Sequence, residues 1–185
     1  MNAIVHMNEI IHQLLGENFK LQYEEDSKLG GPTFSINVIQ GGANTNVVPD
    51  RCSANIDIRT VPSQDHNQII GQIEGVIENV KQQYPDLKSE IRILNDQSSM
   101  TTSDDDPFVK TVQVAVGSMG GSTKLGGITG YTDSSQFVQA DKDFPVVVLG
   151  PGVTAQAHQP DEHVDIDKYL ECIEIYKAIA KNYLG

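Results

Sequence analysis

Apolar residues recur at helical spacing from the start of the chain. Ile4, Met7, Ile10, Ile11, Leu14 and Leu15 share one face, which predicts an amphipathic helix over 2–15, closed by Gly16. No capping residue is read before it, so the chain is expected to open inside an element, as a truncated piece would. A polar run, Glu24 to Lys28, leads to the loop signal Gly30-Gly31-Pro32. Residues 33–39 alternate with period two and read as a half-buried strand. A glycine turn at 41–44 joins it to a second strand over 47–59, with Ala54, Ile56 and Ile58 on one face, and the two are expected to pair antiparallel. Ile69, Ile73, Val76, Ile77 and Val80 mark a helix over 65–84, and Lys88 to Leu94 alternates as a third strand. The order α-β-β-α-β is a split β-α-β, ferredoxin-like unit lacking its first strand.

The polar stretch 95–106 marks a boundary, dividing the chain into domains 1–98 and 99–185. Beyond it the pattern predicts a helix over 107–119, a strand near 122–126 and a helix over 133–141. The continuous apolar run Pro145 to Leu149 suits a strand buried on both faces of an α/β layer. The last helix is expected over 165–183, with Tyr169, Leu170, Cys172, Ile173, Tyr176, Ile179 and Ala180 as its apolar face. The fold class is therefore mixed, α+β followed by α/β.

Charge narrows the partners. Of the 185 residues, 25 are acidic and 13 basic, a formal net charge of −12. Such a surface repels phosphate backbones and anionic headgroups, which argues against nucleic acid and membrane. No apolar stretch reaches the roughly 18 residues a span needs. Met1 to His6 lacks a basic region followed by an apolar run, so no secretory signal is expected. Two distant cysteines, Cys52 and Cys172, fit a reduced cytoplasmic protein better than a disulfide scaffold.

Three segments could carry chemistry. The first is Gly150 to Glu162, following the apolar run, where α/β sheets gather ligands. His158 there is either a solvated loop histidine or a metal ligand or general base; alone it cannot supply the four ligands zinc takes. The second, Gly127 to Phe137, is a glycine turn feeding a helix start, read either as capping by Thr132 or Asp133 or as an anion site. The third runs from Gly41 to Arg59. Arg59 is either a surface pair with Asp57 or Asp65 or a fork for a substrate carboxylate. Nucleotide-binding glycine fingerprints and a Gly-x-Ser-x-Gly nucleophile elbow are absent.

Taken together, these segments resemble a known family. Gly42-Ala43-Asn44-Thr45-Asn46-Val47-Val48-Pro49-Asp50, running to Asp57-Ile58-Arg59-Thr60-Val61-Pro62, resembles the lid (dimerisation) signature of the M20 zinc metallopeptidases, in their deacetylase and desuccinylase branch. Gly130-Tyr131-Thr132-Asp133 and His158-Gln159-Pro160-Asp161-Glu162 resemble two motifs of the family's C-terminal catalytic region, in order. The resemblance implies a two-zinc amidohydrolase, cobalt or manganese being alternatives, with a metal-activated water attacking an N-acyl amino acid or peptide amide. It implies His158 as a zinc ligand, with Glu162 steadying its loop. It also implies Asn46 and Arg59 at the substrate's carboxylate end, and Thr132, Asp133, Gly152 and Thr154 along the pocket. A homodimer through the lid follows from the same likeness.

The departures are equally specific. The family's His-x-Asp motif, bridging aspartate, glutamate pair, further carboxylate ligand and His-Ser-x-x-Pro segment are not among these residues. The catalytic base is thus expected outside them. The chain reads as a lid short of one strand plus the tail of an α/β zinc-hydrolase catalytic domain. It is expected to bind zinc poorly and to be inactive alone. The competing readings are a stand-alone dimerisation or binding module, and an unrelated α+β domain.

Overall fold

The computed structural model describes residues 2–17, 19–137 and 144–185. The chain divides into two compact units, one built from Met1–Ser99 with Gly127–Ser135, the other from Met100–Gly126 with Gln136–Gly185.

The first unit opens with helix α1, Ala3–Leu14. Contrary to the sequence reading, α1 does have a cap. Asn2 is extended, and its side-chain oxygen accepts from the N–H groups of Ile4 and Val5 at 3.1 and 3.3 Å. Strands β1, Thr33–Gly41, and β2, Cys52–Arg59, pair antiparallel as expected, from Thr33 opposite Arg59 to Gly41 opposite Cys52. The pairing slips between Ile36 and Val38, leaving Asn37 as a bulge. Inward alternation in β1 ends there, and Val38 and Ile39 are exposed. The strands are joined by 42–51, not by a short turn, with Gly42 at φ +76°, a left-handed value that glycine adopts without penalty. Helix α2, His66–Gln83, is capped by Asp65, which accepts from Asn67 N at 2.8 Å.

The core of this unit forms where α1 meets α2 and the sheet. Ile10, Leu14 and the fully enclosed Val80 are buried, and Phe19, Phe34, Ile56, Ile73, Val76, Ile77, Tyr84 and Leu87 close around them. Buried His6 lies against the Tyr84 ring, centroids 4.4 Å apart. The third strand expected over 88–94 does not form. Among the described residues the sheet has two strands, and Leu94 is 77% exposed. A strand needs a ladder partner, and this segment, exposed at every position but Ile91, has none among the described residues.

The second unit packs α3, Pro107–Ser118, against α5, Ile166–Leu184. Proline at the first turn of α3 loses no hydrogen bond there, and Asp106 caps it by accepting from Phe108 N at 2.7 Å. Val112, Ala115, Val116, Ile175 and Ile179 are buried between the two helices, with Val147 and Leu149 against them. The Phe108 and Tyr183 rings meet edge to face at 4.9 Å.

Three expectations are corrected in this unit. No ladder forms at 122–126 or 145–149 among the described residues. The second of these is not buried on both faces: Val147 and Leu149 point to the core while Val148 is 60% exposed. The backbone of Val146 is instead satisfied by one hydroxyl, Thr102 Oγ1, which donates to its carbonyl and accepts from its N–H, both at 2.9 Å. Third, α5 buries Cys172, Ile175 and Ile179, whereas Tyr169, Leu170, Ile173 and Tyr176 are exposed. Both stripes satisfy helical spacing, so periodicity alone does not choose between them. The short helix α4 spans Ser134–Phe137; the remainder of the helix expected over 133–141 lies outside the described residues. Among the described residues no helix is long and apolar enough to cross a membrane.

Candidate functional site

In the first unit, Asn46 is exposed in the connection between β1 and β2. Arg59 is the last residue of β2. Its Nε donates to Asp57 Oδ2 at 2.8 Å, and the same guanidinium donates through a terminal nitrogen to the Thr129 carbonyl at 3.1 Å. The pairing with Asp57 follows from period two: residues two apart in a strand share a face. The ion pair is half exposed and so worth little in stability. The reach to Thr129 joins the strand end to the segment holding Thr132 and Asp133.

That segment is folded on itself before α4. The Thr132 hydroxyl accepts from Ser134 N at 3.3 Å and contacts the Ser134 hydroxyl. Thr132 O accepts from Ser135 N at 3.1 Å, and Asp133 is exposed. The cap of this short helix is thus Thr132, one of the two sequence candidates. At Gly127, at the other end, a Cβ would stand 2.4 Å from Leu29 Cδ2, so a side chain there would push Leu29 aside.

In the second unit, Gly152, Thr154, His158 and Glu162 lie on the exposed stretch between the apolar run and α5. Thr154 opens a single 3-10 turn, Thr154–Gln156. Nothing lies within 4 Å of a Cβ built on Gly152. His158 is the one described non-glycine residue at positive φ, +63°. Its own N–H donates to Glu162 Oε2 at 2.9 Å. A left-handed histidine costs on the order of 1 kcal/mol, which the carboxylate contact helps to offset.

These residues are not a metal centre by themselves. Among the described residues no three His, Cys, Asp or Glu side chains converge as a metal site, and His158 offers one imidazole. A groove of about 490 Å³ beside α2, lined by Glu74, Gly75, Ile77, Glu78, Lys81, Ser89 and Ile91, contains none of the sequence candidates.

The sequence reading missed a polar chain in the first unit. Thr60 Oγ1 lies 3.0 Å from His66 Nε2, and His66 Nδ1 lies 2.5 Å from Asp96 Oδ1. Gln97 follows, its Oε1 2.9 Å from the buried Ser135 hydroxyl. His66 and Asp96 are thirty positions apart, and no spacing rule links them. The sole local signal was Asp65 before an apolar-periodic run, which marks the helix start where His66 sits.

Residues 1–85 match the family model of the M20 peptidase dimerisation domain. The likeness to M20 peptidases read from the lid motif at 42–62 is therefore shown. Along its whole length the chain is similar to a probable succinyl-diaminopimelate desuccinylase of Staphylococcus epidermidis, 27% identical and covering 44% of that protein. A Staphylococcus aureus protein of the same name is 30% identical over 87% of this chain and 40% of its own length. An acetylornithine deacetylase of Myxococcus xanthus is 24% identical over 83% of this chain and 38% of its own length. The chain spans less than half the length of these relatives.

Proposed function

We propose that this chain is the C-terminal portion of an M20 amidohydrolase that cleaves an N-acyl amino acid or peptide amide, as the names desuccinylase and deacetylase describe for its relatives. The observation that carries the reading is the reach of the similarity. It does not stop at residue 85, where the dimerisation domain match ends, but continues through the Gly130 and His158 motifs. In this reading residues 1–98 form a ferredoxin-like lid short of its first strand, and 99–185 end an α/β catalytic domain. Support for the lid comes from the α-β-β-α order.

The roles follow residue by residue. Arg59 and Asn46 would receive the substrate's carboxylate end, a suitable task for a planar fork of N–H donors on an exposed strand end. Thr132, Asp133, Gly152 and Thr154 would line the pocket. His158 would give one imidazole to a zinc site, with Glu162 fixing the loop through the His158 N–H. The remaining ligands and the base would come from residues outside these 185, and bound zinc would supply Lewis acidity and an activated water. The assembled protein would be a cytoplasmic homodimer joined through the lid.

The purified chain tests the reading of an inactive piece. Calorimetric titration should show no tight stoichiometric zinc, and N-succinyl-diaminopimelate and N-acetylornithine should survive incubation. Tight zinc or turnover would overturn it. The match of residues 1–85 to a dimerisation domain also favours a second reading, a binding module without catalysis. A strictly monomeric chain at high concentration in sedimentation would count against that reading.

A further inference from the structure

Resting on the pocket role proposed for Thr132 and Asp133, we infer that the end of β2 clamps the Gly127–Ser135 segment at two points and so positions both residues. Two consecutive residues of the strand end reach the segment by separate routes. Arg59 goes directly, donating to the Thr129 carbonyl at 3.1 Å while Asp57 orients its Nε at 2.8 Å. Thr60 goes through a relay. Its hydroxyl meets His66 Nε2 at 3.0 Å, and the other ring nitrogen lies 2.5 Å from Asp96. The neighbour of Asp96 in sequence, Gln97, presents Oε1 to the Ser135 hydroxyl at 2.9 Å.

Ser135 is the buried end of the segment: its N–H donates to Thr132 O at 3.1 Å, and its single hydroxyl proton is shared between Thr132 O at 3.0 Å and Gln97 Oε1 at 2.9 Å. The carbonyl and side chain of Thr132 therefore take their orientation from Ser135, and Ser135 takes its place from Gln97. At the opposite end the Leu29 side chain packs closely beside Gly127. Residues 127–135 belong to the same compact unit as the lid residues, in keeping with the clamp. Arg59 thereby has a positioning task besides the proposed carboxylate contact. A carboxylate that draws the guanidinium away from Thr129 O would loosen the segment it is meant to meet.

Hydrogen exchange read by mass spectrometry on the 185-residue chain tests this without metal or substrate. Arg59→Ala, His66→Ala and Gln97→Ala should each speed exchange at the Ser134 and Ser135 amides roughly three- to tenfold, the scale of one lost hydrogen bond. Gln97→Glu, which keeps an acceptor for the Ser135 hydroxyl, should restore protection. Peptides covering β1, β2 and α1 should be unchanged in all four. Unaltered exchange at Ser134 and Ser135 in either Arg59→Ala or Gln97→Ala overturns the two-point clamp. So does acceleration spread equally over the β1–β2 pair. The readout is independent of hydrolysis: its failure leaves the amidohydrolase reading standing, and the failure of that reading leaves the clamp standing.

Discussion

Replacing Val80 with alanine removes the one side chain among the described residues of the first unit with no exposed surface. Val80 stands where α2 meets Ile10 and Leu14 of α1, so its methyl groups touch both helices. Two carbons leave the core, at about 0.8 kcal/mol each in transfer free energy. The hole left among Ile10, Leu14 and their neighbours collapses only in part and adds about 1 kcal/mol. The expected destabilisation is about 2–3 kcal/mol, a large share of what a unit of this size possesses. Urea unfolding followed by hydrogen exchange in α1 and α2 peptides measures it, and both helices should lose protection together. Val114→Ala, at a position 65% exposed on α3, is the control and should change stability by less than about 0.5 kcal/mol. If Val80→Ala also falls within about 0.5 kcal/mol of the parent, the α1–α2 contact does not hold this unit together, and the core is wrongly located.

Three other perturbations follow from local geometry. Asn2→Ala removes the two-bond cap of α1 and should cost about 1 kcal/mol in the same urea titration, whereas Asn2→Ser should restore most of it. Asp26 accepts the N–H groups of Lys28 and Leu29, and these bonds hold its carboxyl below the ordinary value of 3.8. A carboxylate with a lowered folded pKa stabilises the turn above its unfolded pKa. That contribution is lost as pH falls through the lowered folded value. The protection of the Lys28 and Leu29 amides, taken against the intrinsic exchange rate at the same pH, should therefore fall on acidification below about pH 4, and Asp26→Asn should flatten the dependence. His158 occupies a left-handed φ of +63°, so His158→Gly should leave thermal stability unharmed while His158→Val costs about 1–2 kcal/mol.

Helices α1 and α2 were legible because each has a one-sided apolar period, and Gly16 marked the end of α1. The β1–β2 pair was legible for the same kind of reason, with Ala54, Ile56 and Ile58 alternating opposite a matching run. Segments 88–94, 122–126 and 145–149 failed for a shared cause. The first two are mostly exposed and the third is only half-buried, and a strand is defined by a partner's backbone, which local pattern does not contain. The α5 face was read in part: Cys172 and Ile179 are buried as expected, but two apolar stripes compete at the same spacing, and packing against α3 adds Ile175 while Tyr169, Leu170, Ile173 and Tyr176 stay exposed. Among site residues, the Asp57–Arg59 pair was visible as a period-two neighbour. The reach of Arg59 to Thr129 spans seventy positions, and the His66–Asp96 contact thirty; no local rule carries either. The Asn2 cap was missed although its residue type is among the best cap formers, because the residue was absorbed into the helix itself.

The central claim, that this chain supplies the C-terminal portion of an M20 amidohydrolase, is tested most directly by a chimera. The whole chain aligns with 44% of the Staphylococcus epidermidis desuccinylase relative. It can therefore replace that region of the relative, with zinc content and hydrolysis of N-succinyl-diaminopimelate then measured. The account predicts zinc-dependent hydrolysis that His158→Ala abolishes with loss of bound metal. A folded, zinc-loaded chimera without hydrolysis, or an equally active His158→Ala variant, would contradict it.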